Sequence, residues 1–507
     1  MKQVFKAILI MSAVFVQSCS KDYLNTKPTE STTTTTVFES VENIELAING
    51  ICKLMTRQYL ETQGMNGEGT IKMWYGNYPG NHFSVNLTGW GPIINGDFRE
   101  VVTSIYLYYP WYYYYRLIGN ANAIIENTDG ASGAQSAKDF VKAQALTFRA
   151  YSYFMLSQLY CNRWRDSGNG SAQGLVLRLD ESTGDMPLST LSEVYSQVFE
   201  DLDNAIALYT SSGKSRNYNY EPDLNVAYAI YARAALTSEK WEKALEMATK
   251  ARNGYPLMDI QQYRSGFSEP NQEWIWSSFG SSQENLHYYS FFGYIGYNSS
   301  GSNVRLYPKC ISKELFEKIP RSDIRKTLFL NPEGYSYNTT TGVADAPLKA
   351  KAFELFPDIY PTSTAYAYMQ FKFKAQDMPG VGHLNHFRSS EMYLIEAEAK
   401  YHLNDHTGAR QTLETLNKES GRNPSYICDK ADVSLLEEIK LYRAIELWGE
   451  GFDWFDLKRW GDSLTRKSFA DGGNFVGVLA VTRTPMEGNH WTWRIPIRET
   501  DYNNAID

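Results

Sequence analysis

Between Asn225 and Leu257 the chain reads NVAYAIYARAALTSEKWEKALEMATKARNGYPL. With Ala244 at the small position of a second helix, Ala232 falls on the small position of a first helix and Tyr228 and Tyr231 on its bulky positions. Ala248, Ala251 and Pro256 then fall on the closing markers of the tetratricopeptide pattern, which repeats every ~34 residues. Small side chains at these sites let two antiparallel helices approach closely, and such a unit must stack on others to bury its apolar face. The same register returns in FRSSEMYLIEAEAKYHLNDHTGARQTLETLNKESG, with Tyr393, Ala397, Ala409 and Leu416, and more loosely in residues 138–161 with 191–209. The expected fold is mainly α: helix hairpins at about 138–209, 221–256 and 386–421, forming a partial solenoid within one domain over residues 38–507.

Long irregular stretches interrupt this pattern. Residues 257–385 lose the helical period and are rich in Gly, Ser, Asn and Tyr; so long an insertion without repeats points to function. Residues 60–105 are Gly- and Asn-rich and read as long loops. Before them, Val41, Ile44, Ala47, Ile51 and Leu54 mark one face of a helix reaching to about Gln58. After them, in SIYLYYPWYYYYRLIGNAN, Pro110 suits the first turn of a helix, and Trp111, Tyr114, Tyr115, Ile118, Ala121, Asn122 and Ile125 follow at helical spacings. The rings from Trp111 to Tyr115 are expected to pack inward, while Tyr106, Tyr108 and Tyr109 could face either way.

At the N-terminus, Lys2 and Lys6 precede an apolar run from Ala7 to Val16, too short to span a bilayer and built like a secretory signal. It ends in Val16-Gln17-Ser18-Cys19, similar to a lipobox. Residues 1–18 are therefore expected to be a lipoprotein signal peptide, with Cys19 acylated and residues 19–37 a flexible, Thr-rich tether. Cys19 is therefore expected to hold the protein on a membrane by its lipid. The formal net charge of −8 and the lack of a basic block leave no electrostatic footprint for nucleic acid. Four further cysteines, Cys52, Cys161, Cys310 and Cys428, lack the spacing of a metal site.

Several stretches, in order, resemble the SusD/RagB family of Bacteroidetes surface lipoproteins: Cys19 followed by SKDYLNTKP, then YRLIGNANAIIENT, KAQALTFRAYSYFMLSQLY, EWIWSSF, IELWGEGFDWFDLKRWG and the closing WRIPIRETDYNNAI. The resemblance covers nearly the whole mature chain. It implies a non-enzymatic glycan-binding lipoprotein, lipid-anchored in the outer membrane and exposed on the cell surface, that acts with a SusC-like TonB-dependent outer-membrane transporter in nutrient uptake. The alternative within the family is a ligand that is a peptide or a host glycoprotein. The family's Glu-Arg-Arg before IELWGEG is replaced by Tyr442, Arg443 and Ala444, while Asp453 and Arg498 stand where Arg and Pro are common. These departures weaken the expectation of a family-type ion-pair network near the C-terminus.

No zinc-protease, nucleophile-elbow or phosphate-loop motif occurs, so no catalytic residue is assigned and a surface glycoside hydrolase is the lesser reading. No cofactor is implied. His402 and His406, four apart, are expected to share a helix face without a third ligand, and no metal site is assigned. The acidic residues of ELWGEGFDWFDLKRW read as the charged face of a packed helix. A sugar site needs exposed flat rings with polar groups at their edges. Two loop regions offer them: Trp74, Tyr75, Tyr78, His82, Asn86, Trp90, Asp97 and Arg99 in the first, and Tyr288, Tyr289, Phe291 and Tyr294 in the second. Trp90, between Gly89 and Gly91, is the foremost stacking platform, whereas Trp274 and Trp276 alternate on a strand and are expected in the core. The resemblance implies ligand contacts from the same two regions.

Overall fold

The computed structural model describes residues 34–62, 64–281, 289–484 and 491–506. The expected signal peptide, Cys19 and most of the tether lie outside them, as do His287 and Tyr288. The tether's last residues, Thr34–Val37, form a helical turn. The principal helices are α1 (Val41–Leu54), α2 (Ile105–Asn127), α3 (Gln135–Tyr160), α4 (Leu191–Ser212), α5 (Leu224–Thr237), α6 (Trp241–Ala251), α7 (Ser389–His402), α8 (His406–Glu414), α9 (Asp432–Glu446) and α10 (Asp453–Trp460). The short strands are β1 (Phe83–Ser84), β2 (Trp274–Ser278), β3 (Cys310–Ile311), β4 (Leu384–Arg388), β5 (Leu464–Thr465) and β6 (Thr482–Arg483). They pair antiparallel as β1 with β3, β2 with β4 and β5 with β6.

The hairpins stand where the small residues placed them. α3 packs on α4, α5 on α6 and α7 on α8, and contacts of α4 with α5 and of α6 with α7 join the three pairs into one stack. Ala232, Ala244, Ala248, Ala251, Ala397 and Ala409 are fully buried at the helix crossings. A capping box starts α4: Thr190 Oγ1 accepts from the Glu193 amide, and Glu193 Oε2 accepts from the Thr190 amide.

Pro110 lies inside α2, which begins five residues before it, and not in a first turn as its position suggests. The bond it cannot donate is replaced by side chains. The Tyr75 hydroxyl donates to the Tyr106 carbonyl at 2.5 Å. The Tyr160 hydroxyl accepts from the Trp111 amide at 3.1 Å and donates to the Leu107 carbonyl at 2.6 Å. Trp111, Tyr113 and Tyr114 are buried, Tyr112 and Tyr115 are half-buried, and Tyr109 is buried while Tyr106 and Tyr108 keep partial exposure. Tyr113, Tyr114 and Tyr151 aim their hydroxyls at Glu68, whose burial raises its carboxyl above the usual range.

Residues 60–105 are not simply loops. Gly67–Thr70 is helical and continues as a π-helical segment, Ile71–Asn77, buried on every side. A segment with no solvent face has no amphipathic period, which is why the sequence reads as irregular. Its glycines serve contact: a Cβ on Gly76 would stand 2.2 Å from the Gly451 carbonyl.

The acidic run after α9 is likewise not one helix with a charged face. The chain breaks at Leu447–Phe452, and Glu446, Glu450 and Asp456 are buried. An ion-pair network is built there despite the departures in sequence. Arg388 bonds Glu446 Oε1, Glu273 Oε1 and both oxygens of Glu450 at 2.7–2.8 Å. Lys372 Nζ donates to Glu450 Oε1 and to the carbonyls of Glu446 and Trp448. Arg325 joins Asp323 to Glu446, and Arg422 lies against Glu273 and Glu446. Since Asp323, Arg325 and Lys372 belong to the 257–385 insertion, the network ties that insertion to the helical stack.

His402 and His406 do not share a helix face, because α7 ends at His402 and α8 begins at His406. His402 stacks on Trp241 at 3.9 Å and His406 on Tyr401 at 5.1 Å.

Candidate functional site

The two aromatic loop regions meet in space. Trp90 ends a short turn, Thr88–Trp90, and stands edge-on to Trp74 at 5.5 Å and to Tyr294 at 6.0 Å. Trp74 also contacts Tyr106 and Tyr294, Tyr294 contacts Tyr289, and Phe98 stacks on Tyr106 at 4.6 Å. Trp74 and Tyr294 form a buried floor, while Trp90, Phe98, Tyr106 and Tyr289 form a half-buried rim. Beside Trp90, Gly89 has open space where a side chain would stand.

Local sequence explains how the floor forms. Trp74 sits on the π-helical segment, where the Tyr78 amide reaches back to the Met73 carbonyl, a wider turn of a kind often found at functional sites. Gly64, at φ +92°, lets the backbone pass so close that a Cβ there would lie 2.5 Å from the Tyr294 hydroxyl and 2.9 Å from the Trp74 ring. Asn66 Nδ2 fixes the rim by donating to the Tyr289 carbonyl at 2.7 Å. Trp74 Nε1, the Tyr294 hydroxyl and Asn66 Oδ1 are buried without a hydrogen-bond partner among the described residues. A polar atom left so costs about 1–3 kcal/mol.

The residues expected from sequence divide into those that meet here and those that do not. Trp74, Trp90, Tyr289 and Tyr294 come together, but Trp74 and Tyr294 as floor; the expectation of exposed rings is corrected for both. It is corrected also for Tyr75, Tyr78 and Phe291, which are buried in the core. Arg99 is buried and donates to the Gly96 carbonyl, while Asp97 pairs with Arg483; both lie on the turn that carries Phe98. Asn86 donates to the Thr341 carbonyl, away from the cluster. His82 lines a different cleft, of about 860 Å³, between the Lys313–Lys318 helix, α9 and α10; its amide donates to Asp453 Oδ2 at 2.6 Å and its carbonyl accepts from Trp448 Nε1. Sequence reasoning missed Phe98 and left Tyr106 open, because no local spacing marks the turn before α2 that stacks the two rings. Trp274 and Trp276 are core residues of β2, as expected.

A family model described as "Starch-binding associating with outer membrane" matches residues 22–236, and the SusD family model matches residues 357–504. No curated protein matches the chain. Among solved structures, a SusD-like carbohydrate binding protein from Bacteroides vulgatus is 23% identical over 92% of this chain and 97% of its own, with a TM-score of 0.73. A SusD superfamily protein from Bacteroides thetaiotaomicron is 21% identical over 92% of this chain and 99% of its own, with a TM-score of 0.71. Among the described residues no helix is long and apolar enough to cross a membrane.

Proposed function

This chain belongs to the SusD/RagB family, and from that premise we propose that it is a non-catalytic carbohydrate-binding protein whose Trp90 cluster takes the sugar. The observation that carries the reading is the half-open aromatic cluster itself: a rim of rings over a floor with two orphaned donors. Pyranose faces present apolar C–H bonds that rest on rings, and the half-buried rim of Trp90, Phe98, Tyr106 and Tyr289 offers such rings. The family description, starch binding in association with the outer membrane, favours the same ligand class and location.

The finer parts of the proposal follow the chain's N-terminus. Acylation at Cys19 anchors the protein on the cell surface, and the segment before residue 38 spaces the body from the bilayer. There it works with a SusC-like TonB-dependent transporter, handing over an oligosaccharide for import. Palmitate labelling should mark the wild type and not Cys19→Ala; equal labelling of both removes the anchor.

The binding claim is tested with the soluble chain, residues 20–507, run through native gels containing amylopectin, xylan, mannan or arabinan. At least one polysaccharide should retard migration, with no reducing ends released overnight. Retardation by none of them, beside binding to a peptide library, would favour the peptide reading; released sugars would favour a hydrolase.

A further inference from the structure

A second group of rings lies beyond the cluster and on the open surface. In the loop between α4 and α5 the stretch Asn217-Tyr218-Asn219-Tyr220 enters a turn, which the Glu221 amide closes on the Tyr218 carbonyl at 3.1 Å and which brings two tyrosines to one side. Tyr218 and Tyr220 accordingly stack face to face, 5.0 Å apart and within 7° of parallel. Their loop is pinned to β2: the Ser277 amide donates to the Asn219 carbonyl at 3.1 Å, and Trp276 Nε1 donates to the Tyr220 carbonyl at 3.0 Å. Phe279 and His383 leave the open end of the β2–β4 ladder, just past the Ser278–Leu384 pair. Phe279 stands across Tyr220 at 5.8 Å and 70°, and His383 across Phe279 at 5.4 Å and 87°. Tyr218 is 56% exposed and Phe279 43% exposed, while Tyr220 and His383 are half-buried.

We propose that this two-walled aromatic corner is a second carbohydrate subsite, which engages a polysaccharide chain that also occupies the Trp90 cluster. The corner offers a flat tyrosine face and a phenylalanine wall nearly perpendicular to it, the two surfaces that cover one face and one edge of a sugar ring. Its polar neighbours, Asn217, Asn219 and His383, are amides and an imidazole whose burial keeps it neutral below its ordinary range, so they exchange hydrogen bonds with hydroxyls without demanding a charge. Phe279 also lines a narrow crevice with Asn66, which holds the Tyr289 carbonyl, and with Ser290, which follows Tyr289 in the chain, so these two residues link the corner to the rim. The Tyr218 and Phe279 rings are set by different segments, a loop and a strand end, both fixed by backbone bonds to β2 or its ladder. This gives the corner the rigidity that a stacking site requires.

The inference rests on the carbohydrate reading, and its test separates the two. The probes are the polysaccharide that retards the wild type in the gels above and a trisaccharide of the same linkage, titrated into residues 20–507. Tyr218→Ala with Phe279→Ala should weaken polysaccharide binding about thirtyfold or more, the scale of two lost stacking rings, and leave the trisaccharide isotherm unchanged. Trp90→Ala should weaken both. Tyr218→Ala alone changes only an exposed side chain and should give the smaller part of the same effect, so a folding defect in the double variant would not decide the matter. Polysaccharide binding unchanged in the Tyr218 variants but reduced in Trp90→Ala overturns the second subsite and leaves the first standing. Binding of no polysaccharide or trisaccharide by the wild type overturns both.

Discussion

Arg388→Ala should lower the stability of the folded protein by about 3–5 kcal/mol, the cost of leaving buried charges without their partner. Arg388 is 1% exposed and bonds three carboxylates at once: Glu273 ahead of β2, Glu446 at the end of α9 and Glu450 in the turn that follows. Its loss leaves Lys372, Arg325 and Arg422 to face these carboxylates, with Lys72 on the Glu450 carbonyl. Arg388→Lys keeps the charge but loses the fork that reaches Glu446 and Glu450 together, so its melting temperature should fall between those of the wild type and the alanine variant. Acid acts on the same groups. Burial alone would push Glu450 and Glu446 up. Arg388 and Lys372 overcome it at Glu450 and hold its carboxyl near about 2, and Arg422, Arg388, Arg325 and Lys372 hold Glu446 well below its ordinary 4.5. Because these folded-state values lie below the unfolded one, the folded protein binds fewer protons than the unfolded. The stabilisation is therefore complete above pH 4.5 and is lost as the pH falls toward about 2. In Arg388→Ala these carboxyls lie less far below their unfolded value, so the acid-dependent loss should be smaller and should end at higher pH. Thermal melts of both proteins from neutral pH downward measure it, and superimposable curves would show that Arg388 does not hold these carboxylates.

Trp90→Ala is expected to weaken glycan binding by about 1–3 kcal/mol, roughly 5- to 150-fold, the scale of a flat ligand losing one stacked ring. The ring is half-buried against Trp74 and Tyr294 and ends a short surface turn, so its removal should leave the melting temperature nearly unchanged. Trp74→Ala should behave differently. Trp74 is 2% exposed and touches Trp90, Tyr106 and Tyr294, so its truncation opens a cavity worth about 3–5 kcal/mol and disorders the platform with it. Calorimetric titration of the retained glycan into both variants, beside their melts, separates a lost contact from a lost scaffold. An unchanged isotherm for Trp90→Ala would remove Trp90 from the site.

Residues that repeat a local spacing were legible in the sequence. The alanines at 232, 244, 248, 251, 397 and 409 mark helix crossings, and each is fully buried where two helices meet. What depends on neighbours remote in the chain was not. Ile71–Asn77 is surrounded by protein, so it carries no polar face to reveal its helical turns. Arg388, Glu273 and Glu446 are far apart in sequence and meet only through the stacking of helices on the insertion. The site was half legible for the same reason. Trp74, Tyr75, Tyr78, Phe291 and Tyr294 have the composition of a binding loop, yet Gly64 and its like draw the chain inward and bury them. Trp90 keeps its opening because Gly89 leaves space beside it, while Tyr218 and Tyr220 show their platform only once Phe279 and His383 arrive from the strands.

Crystals of residues 20–507 soaked with an oligosaccharide of the retained polysaccharide test the central claim most directly. Density for a sugar ring stacked against Trp90 is the expected result. A well-ordered sugar bound elsewhere, with the Trp90 rim empty, would contradict it.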